Sequence, residues 1–191
     1  MKYRLIQFLL SVLVLCNVCV AQTESEVVKL VNEYKQKVFE RDWAGSLEYL
    51  YPALFNLVPK ETFLEKIEET MNDTLEYVLG YEAMQVEEIS KVYEEDSISY
   101  CMVKYTSVMT YRSKSEDPED ILGFLQIAKA VYGEDALQLD GNLLTITTPK
   151  RLSVIKELGD NKLYFVELSK DAKRLLSMIM SQAFINLAYP E

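Results

Sequence analysis

Residues 43–63, WAGSLEYLYPALFNLVPKETF, hold five aromatic side chains (Trp43, Tyr49, Tyr51, Phe55 and Phe63) and two prolines, and their reading decides the fold. Pro52 lacks an amide donor and clashes with the turn before it, so it ends a helix. Pro59 has its φ pre-set for a first helical turn, and Glu61 complements the positive end of the helix dipole, so it opens another. Asp42 is placed to cap the earlier helix, with Trp43, Leu47, Leu50 and Tyr51 turned inward. In the later one Phe63, Ile67 and Met71 recur every four residues and form an apolar stripe. The aromatic residues between the prolines therefore read as a corner that seats two helices on a core.

Working upstream, Val27, Val31, Tyr34 and Val38 recur at four, three and four behind a capping box made by Thr23 and Glu26, which predicts a first helix near 24–40. Before it stand Met1-Lys2-Tyr3-Arg4, an apolar run from Leu5 to Val20, and Cys19-Val20-Ala21. A charged start, an apolar core of roughly 15 residues and small side chains at the processing positions are the parts of a signal peptide cleaved after Ala21. An uncleaved anchor would need about 20 apolar residues. The expected product is an exported protein, periplasmic or secreted, forming one domain over 22–191. It has no stable membrane association once the leader is gone.

Removing the leader takes Lys2 and Arg4 away, leaving 18 basic against 30 acidic residues and a net charge of −12. An acidic surface repels phosphate backbones and anionic lipid, so nucleic acid is not an expected partner. Of three cysteines only Cys101 remains, so no internal disulfide can form and packing alone must hold the fold. This suits a bacterial exported protein. Cys101, among Ile98, Tyr100, Met102 and Val103, reads as a small buried apolar residue.

Downstream the period changes. Met84, Val86 and Val92 enter a β-rich run, Glu94-Glu95-Asp96 form a charged turn, and a long strand is predicted from Ser97 to Arg112. Alternation puts Cys101, Val103, Tyr105, Met109 and Tyr111 on one face, and Ile98, Tyr100, Met102 and Val108 on the other. Both faces are apolar, as in a sheet covered by helices on one side and hollowed on the other. Asp117 as cap, Pro118 in the first turn and Gly133 as stop define a helix over 118–133, which accounts for the acidic run Glu116–Asp120 without a metal ion. Turn signals at Asp140-Gly141 and Gly159-Asp160-Asn161 separate strand-like runs at 143–148, 151–158 and 162–168, an antiparallel meander. Ser169 then caps a last helix with a broad apolar face, which either closes the open side of the sheet or meets a second subunit as a homodimer contact.

Composition removes several chemistries. The chain has no histidine, which excludes Ser-His-Asp and Cys-His nucleophile systems and imidazole-built zinc or iron sites. Its six glycines never cluster into a phosphate-cradling loop, so no nucleotide cofactor is expected, nor any other cofactor. Ser153 and Lys156 have the Ser-x-x-Lys spacing of penicillin-recognising enzymes, but on a strand they fall on opposite faces. Tyr100 and Lys104 share a face roughly 13 Å apart at about 3.3 Å per residue, too far to act together. Asn72-Asp73-Thr74 matches a glycosylation sequon, a pattern common by chance.

Three N-terminal helices, the passage LEYLYPALFNLVPKETF between the second and third, and long antiparallel strands ending in KLYFVEL together resemble the NTF2-like (cystatin-like α+β cone) superfamily, in particular its exported bacterial members. The resemblance runs from about Val27 to Leu168. It implies an α+β fold, with N-terminal helices packed on a curved antiparallel sheet that forms a cone. The helix at 118–133 and the C-terminal helix are additions to that pattern. The superfamily includes isomerases and dehydratases that use tyrosine, aspartate or histidine in the cone, as well as members without chemistry.

Two functional readings follow. In the first, the chain is an exported non-enzymatic module that holds a small apolar ligand or a protein partner. Tyr51, Phe55, Tyr105, Met109 and Tyr111 would line its site, unless all five are simply core. In the second, a desolvated carboxylate abstracts a proton while a tyrosine hydroxyl stabilises the oxyanion, and Asp42 and Glu48 are the acids nearest the aromatic passage. That reading requires a carboxylate inside the cone within hydrogen-bond reach of a tyrosine hydroxyl.

Overall fold

The computed structural model describes residues 24–71, 77–95, 97–115 and 117–190. The expected signal peptide, the Thr23 cap and the sequon at 72–74 lie outside the described residues. Helix α1 spans 24–39, as the apolar stripe predicts, and buries Val27, Leu30, Val31 and Val38. Arg41 turns the chain with a positive φ of 57°, and its guanidinium donates to the Leu79 carbonyl at 2.6 Å, tying the corner to the sheet. Asp42 caps α2 (Trp43–Leu47) by accepting from the Gly45 amide at 2.9 Å.

The quoted stretch departs from expectation after Leu47. Tyr49 to Tyr51 leave the helix and lie against the sheet. The Tyr51 amide donates to the Phe165 carbonyl at 3.0 Å, and the Phe165 amide to the Tyr49 carbonyl at 2.9 Å. Two forces favour this. A residue before proline is pushed out of the helical region, and an open strand edge offers ladder partners that a frayed helix end lacks. Pro52 then begins a 3-10 turn, Pro52–Asn56, rather than only ending a helix. Pro59 precedes α3 (Lys60–Met71) as predicted.

The sheet is six-stranded, antiparallel throughout and open at both sides, not a closed barrel. Its spine is β3 (Ile98–Ser113) paired with β5 (Leu143–Glu157) in unbroken register from Ile98↔Glu157 to Arg112↔Leu143. β1 (Tyr77–Ile89) and the short β2 (Tyr93–Glu95) share the outer side of β3. Two bulges in β1, between Tyr81 and Ala83 and between Val86 and Glu88, bend that strand. β4 (Leu137–Asp140), a strand beyond those predicted, and β6 (Tyr164–Glu167) share the outer side of β5.

The runs 143–148 and 151–158, expected as separate strands, are therefore one. Pro149 does not break β5 because it sits between the stretches paired with β4 and with β6, where the outer side of β5 is an edge that asks for no amide.

One face of the sheet carries α1, which packs on Cys101, Val103, Tyr105, Leu152, Val154 and Phe165. Further along the same face lies α4 (Pro118–Tyr132), capped by Asp117 and stopped at Gly133 as predicted. Its Ile121 and Ala128 meet Leu144 and Ile146, while Phe124 lies between Tyr77 and Tyr111.

The opposite face is covered at one end by the C-terminal segment, which is two short helices rather than one: α5 (Ala172–Leu176) and α6 (Gln182–Ala188). Ser181 accepts from the Phe184 amide at 3.0 Å and so starts a new helix where the earlier one has frayed. Phe184, Ile185 and Leu176 bury against Tyr100, Ile155 and Val166. Of the two roles expected for this segment, its apolar face is occupied by the first, closing the sheet. Beyond α6 that face carries the exposed Lys104, paired to Glu88 at 2.6 Å, and the buried Thr110.

Candidate ligand site

A cavity of about 350 Å³ lies between the N-terminal helices and the sheet. Its roof is the stripe that the sequence predicts on α3, Phe63, Ile67 and Met71, joined by Val38 of α1 and Trp43 of α2. Leu50 enters from the extended segment and Leu54 from the 3-10 turn, while Leu175 and Leu176 of α5 close one end. Tyr34 stands on α1 with its ring edge-on to Phe165 at 4.5 Å.

The floor is different in kind. Along the cavity face of β3 and β5 the cross-strand pairs run Tyr105↔Lys150, Ser107↔Thr148 and Met109↔Ile146, so two polar pairs interrupt an otherwise apolar surface. Ser107 is 2% exposed and Thr148 8%. Thr148, across from Ser107 but not itself on the cavity wall, has its Oγ1 sealed from solvent without a hydrogen-bond partner. A buried hydroxyl left unpaired costs about 1–3 kcal/mol. Tyr81, also on the wall, donates to Met71 Sδ at 3.4 Å.

Burial pushes the Tyr34 phenol up to about 12, with the nearby Glu167 charge adding to it. Burial also raises Tyr81 and Tyr105, and the charge of Glu167 acts on both as a lesser cause. The three phenols are thus protonated donors at any ordinary pH. At the wall Lys150 Nζ lies 3.3 Å from Glu167 Oε1, and both side chains reach solvent, so this pair presents no net charge to the cavity.

Of the five residues expected to line a site, Tyr105 does so. Tyr51 does not. Extended backbone alternates its side chains, so Leu50 points to the cavity and Tyr51 to the opposite cluster, where its hydroxyl donates to Glu157 at 2.7 Å. Phe55 is one layer out, edge-on to the wall residue Phe63 at 5.8 Å. Met109 and Tyr111 share the face of Tyr105, but α4 covers that end, with Phe124 4.7 Å from Tyr111. Asp42 is held by capping α2 and by Lys37 at 2.8 Å, and Glu48 is exposed and paired with Lys60. Glu167 is the one carboxylate among the cavity's described lining residues, and no tyrosine hydroxyl is hydrogen-bonded to it. Ser153, of the Ser-x-x-Lys match, is fully buried on the other face and donates to the Cys101 carbonyl at 3.3 Å.

Sequence reasoning missed Tyr34 as a site residue because it belonged to a core stripe, and missed Lys150 and Glu167 because strand ends predict no partners. Ser107 did leave a signal: it is the one polar side chain in the alternation Cys101, Val103, Tyr105, Ser107, Met109, Tyr111. Among the described residues no group of three or more acids or cysteines is placed to hold a metal ion. Compared with known proteins, the chain is matched by no family model, no curated protein and no solved structure.

Proposed function

We propose that this chain is an exported, non-enzymatic binding module with the NTF2-like cone as its scaffold. It takes a small, uncharged, largely apolar ligand that carries a hydrogen-bonding end. The observation behind this reading is a mostly apolar cavity onto which the polar-tipped side chains of Tyr34, Tyr81, Tyr105 and Ser107 also open. Pockets that bind small molecules are of this size and kind, mostly apolar with a few convergent polar groups. The apolar body of the ligand lies under Phe63, Ile67 and Met71, and its polar end reaches Tyr105 and Ser107. Charged ligands are disfavoured because Lys150 and Glu167 neutralise each other. The N-terminal helices and the bends in β1 support the cone resemblance. An acid/base reaction has less support, since Glu167 is solvated and tied to Lys150.

Trp43 is the only tryptophan and stands on the cavity wall, so its fluorescence reports occupancy. N-phenyl-1-naphthylamine, a neutral apolar probe, is expected to bind saturably and quench Trp43. Ser107→Leu, which fills the floor, should weaken binding at least tenfold while circular dichroism stays unchanged. Binding that is unsaturable, or unaffected by Ser107→Leu in a folded protein, would remove the proposal.

A further inference from the structure

Alone among the described α-helices, α3 buries none of its residues. No residue of it joins the three clusters that form the core. The reason is what lies beneath it. Phe63, Ile67 and Met71 face the cavity, so the apolar stripe that ordinarily anchors a surface helix rests over space instead of on packed side chains. A helix of 12 residues draws little stability from its own turns and depends on such packing.

The contacts that tie its ends are weak ones. At the first turn Lys60 pairs with Glu48 at the surface and lies 5.9 Å from the centre of the Phe55 ring, which Phe63 meets edge-on at 5.8 Å. At the last turn Met71 Sδ, a poor acceptor, receives the Tyr81 hydroxyl at 3.4 Å.

We propose that α3 is the lid of the cavity: it swings about Pro59, lifting its Met71 end to admit a ligand, and shuts as its stripe packs on that ligand. Segments with few buried apolar contacts open at the lowest cost in free energy, and lids are drawn from them. The other walls are fixed. β3 and β5 are paired in unbroken register, α1 buries Val27, Leu30, Val31 and Val38, and α5 is anchored by Leu176 in the Phe184 cluster. An apolar ligand supplies the side-chain contacts that α3 lacks, and only in the closed position does the stripe reach it, so binding favours closure. The use of the lid rests on the ligand-binding reading above, but its opening is a property of the free protein.

Thiol labelling reads that opening directly. Ser107 lies on the floor of the cavity, 2% exposed, whereas Cys101 on the same strand packs under α1, 3% exposed. In ligand-free Ser107→Cys protein, N-(1-pyrenyl)maleimide should label position 107. Phe55→Ala removes the ring against which Phe63 and Lys60 rest, without altering the cavity wall, and should speed that labelling at least threefold while the Cys101 rate stays unchanged. Lys60→Gln, which leaves the core untouched, should act in the same direction. Labelling at position 107 that neither variant accelerates, or a Cys101 rate that rises in step with it, would overturn the proposal. N-phenyl-1-naphthylamine should slow labelling at position 107. No slowing, with the acceleration by Phe55→Ala intact, would remove the ligand and keep the lid.

Discussion

Tyr34 keeps its proton because much of its ring and hydroxyl is taken out of water, and that has a measurable consequence. In the unfolded chain the phenol titrates near its ordinary value of 10, whereas in the fold it is held up to about 12. The unfolded state therefore releases this proton first, and alkali favours unfolding. The contribution is complete below pH 10 and is lost as pH rises from 10 towards 12. Thermal midpoints measured across pH 9 to 12 should fall more steeply for the wild type than for Tyr34→Phe, and equal slopes would show that Tyr34 is not responsible. The same residue shows why the site was only partly legible. A tyrosine in a helical stripe looks like core whether its hydroxyl meets a partner, water or an empty space, because the periodicity of a sequence reports direction and not what lies there. Ser107 was more legible, since a polar residue inside an apolar alternation contradicts its own pattern.

Strands and helices were read more reliably where the signal is local. Asp117, Pro118 and Gly133 bound α4 as predicted because caps and φ restrictions act within a turn. The misreadings share a cause: a local signal gave way to a distant partner. Tyr49–Tyr51 left a helix for the edge of β6, and Pro149 stayed within β5 because no strand needed its amide.

Gly80 in β1 is a case the sequence could not explain. A Cβ there would stand 2.6 Å from Thr110 Oγ1, the side chain of its cross-strand partner on β3. Thr110 is buried and β-branched, so it has little freedom to move aside. Gly80→Ala is expected to cost about 1–3 kcal/mol, as overpacking does. In a Thr110→Ala background the cost should largely vanish. Urea denaturation of the four proteins in the cycle gives the coupling, and a cost unchanged by Thr110→Ala would place the strain elsewhere.

The whole molecule is a sheet with different work on each face: α1 and α4 on one, α6 on part of the other, and α5 belonging both to the Phe184 cluster and to the end of the cavity. Phe184 is wholly buried at the centre of the second, edge-on to Tyr100 at 4.9 Å. Phe184→Ala should destabilise the protein by about 3–5 kcal/mol in chemical denaturation. Under native conditions it should also weaken probe binding, because Leu176, which closes one end of the cavity, packs in the same cluster as Phe184. Binding unchanged from wild type in a still-folded Phe184→Ala protein would show that this end of the cavity does not depend on the cluster.

By itself the sequence determined the α+β class, the three N-terminal helices, the faces of β3, the limits of α4 and the exclusion of histidine chemistry. All of these follow from neighbours a few positions apart or from composition. Only the tertiary structure decided that β5 is a single strand, that the last helix is two, and that the aromatic passage of residues 43–63 is both corner and cavity wall. Trp43, Leu50, Leu54 and Phe63 face the cavity, while Tyr51 turns away. The physical reason is that a cavity is space which packed elements fail to fill. Its walls come from Tyr34 near one end of the chain and Glu167 near the other, and no short-range pattern records their meeting.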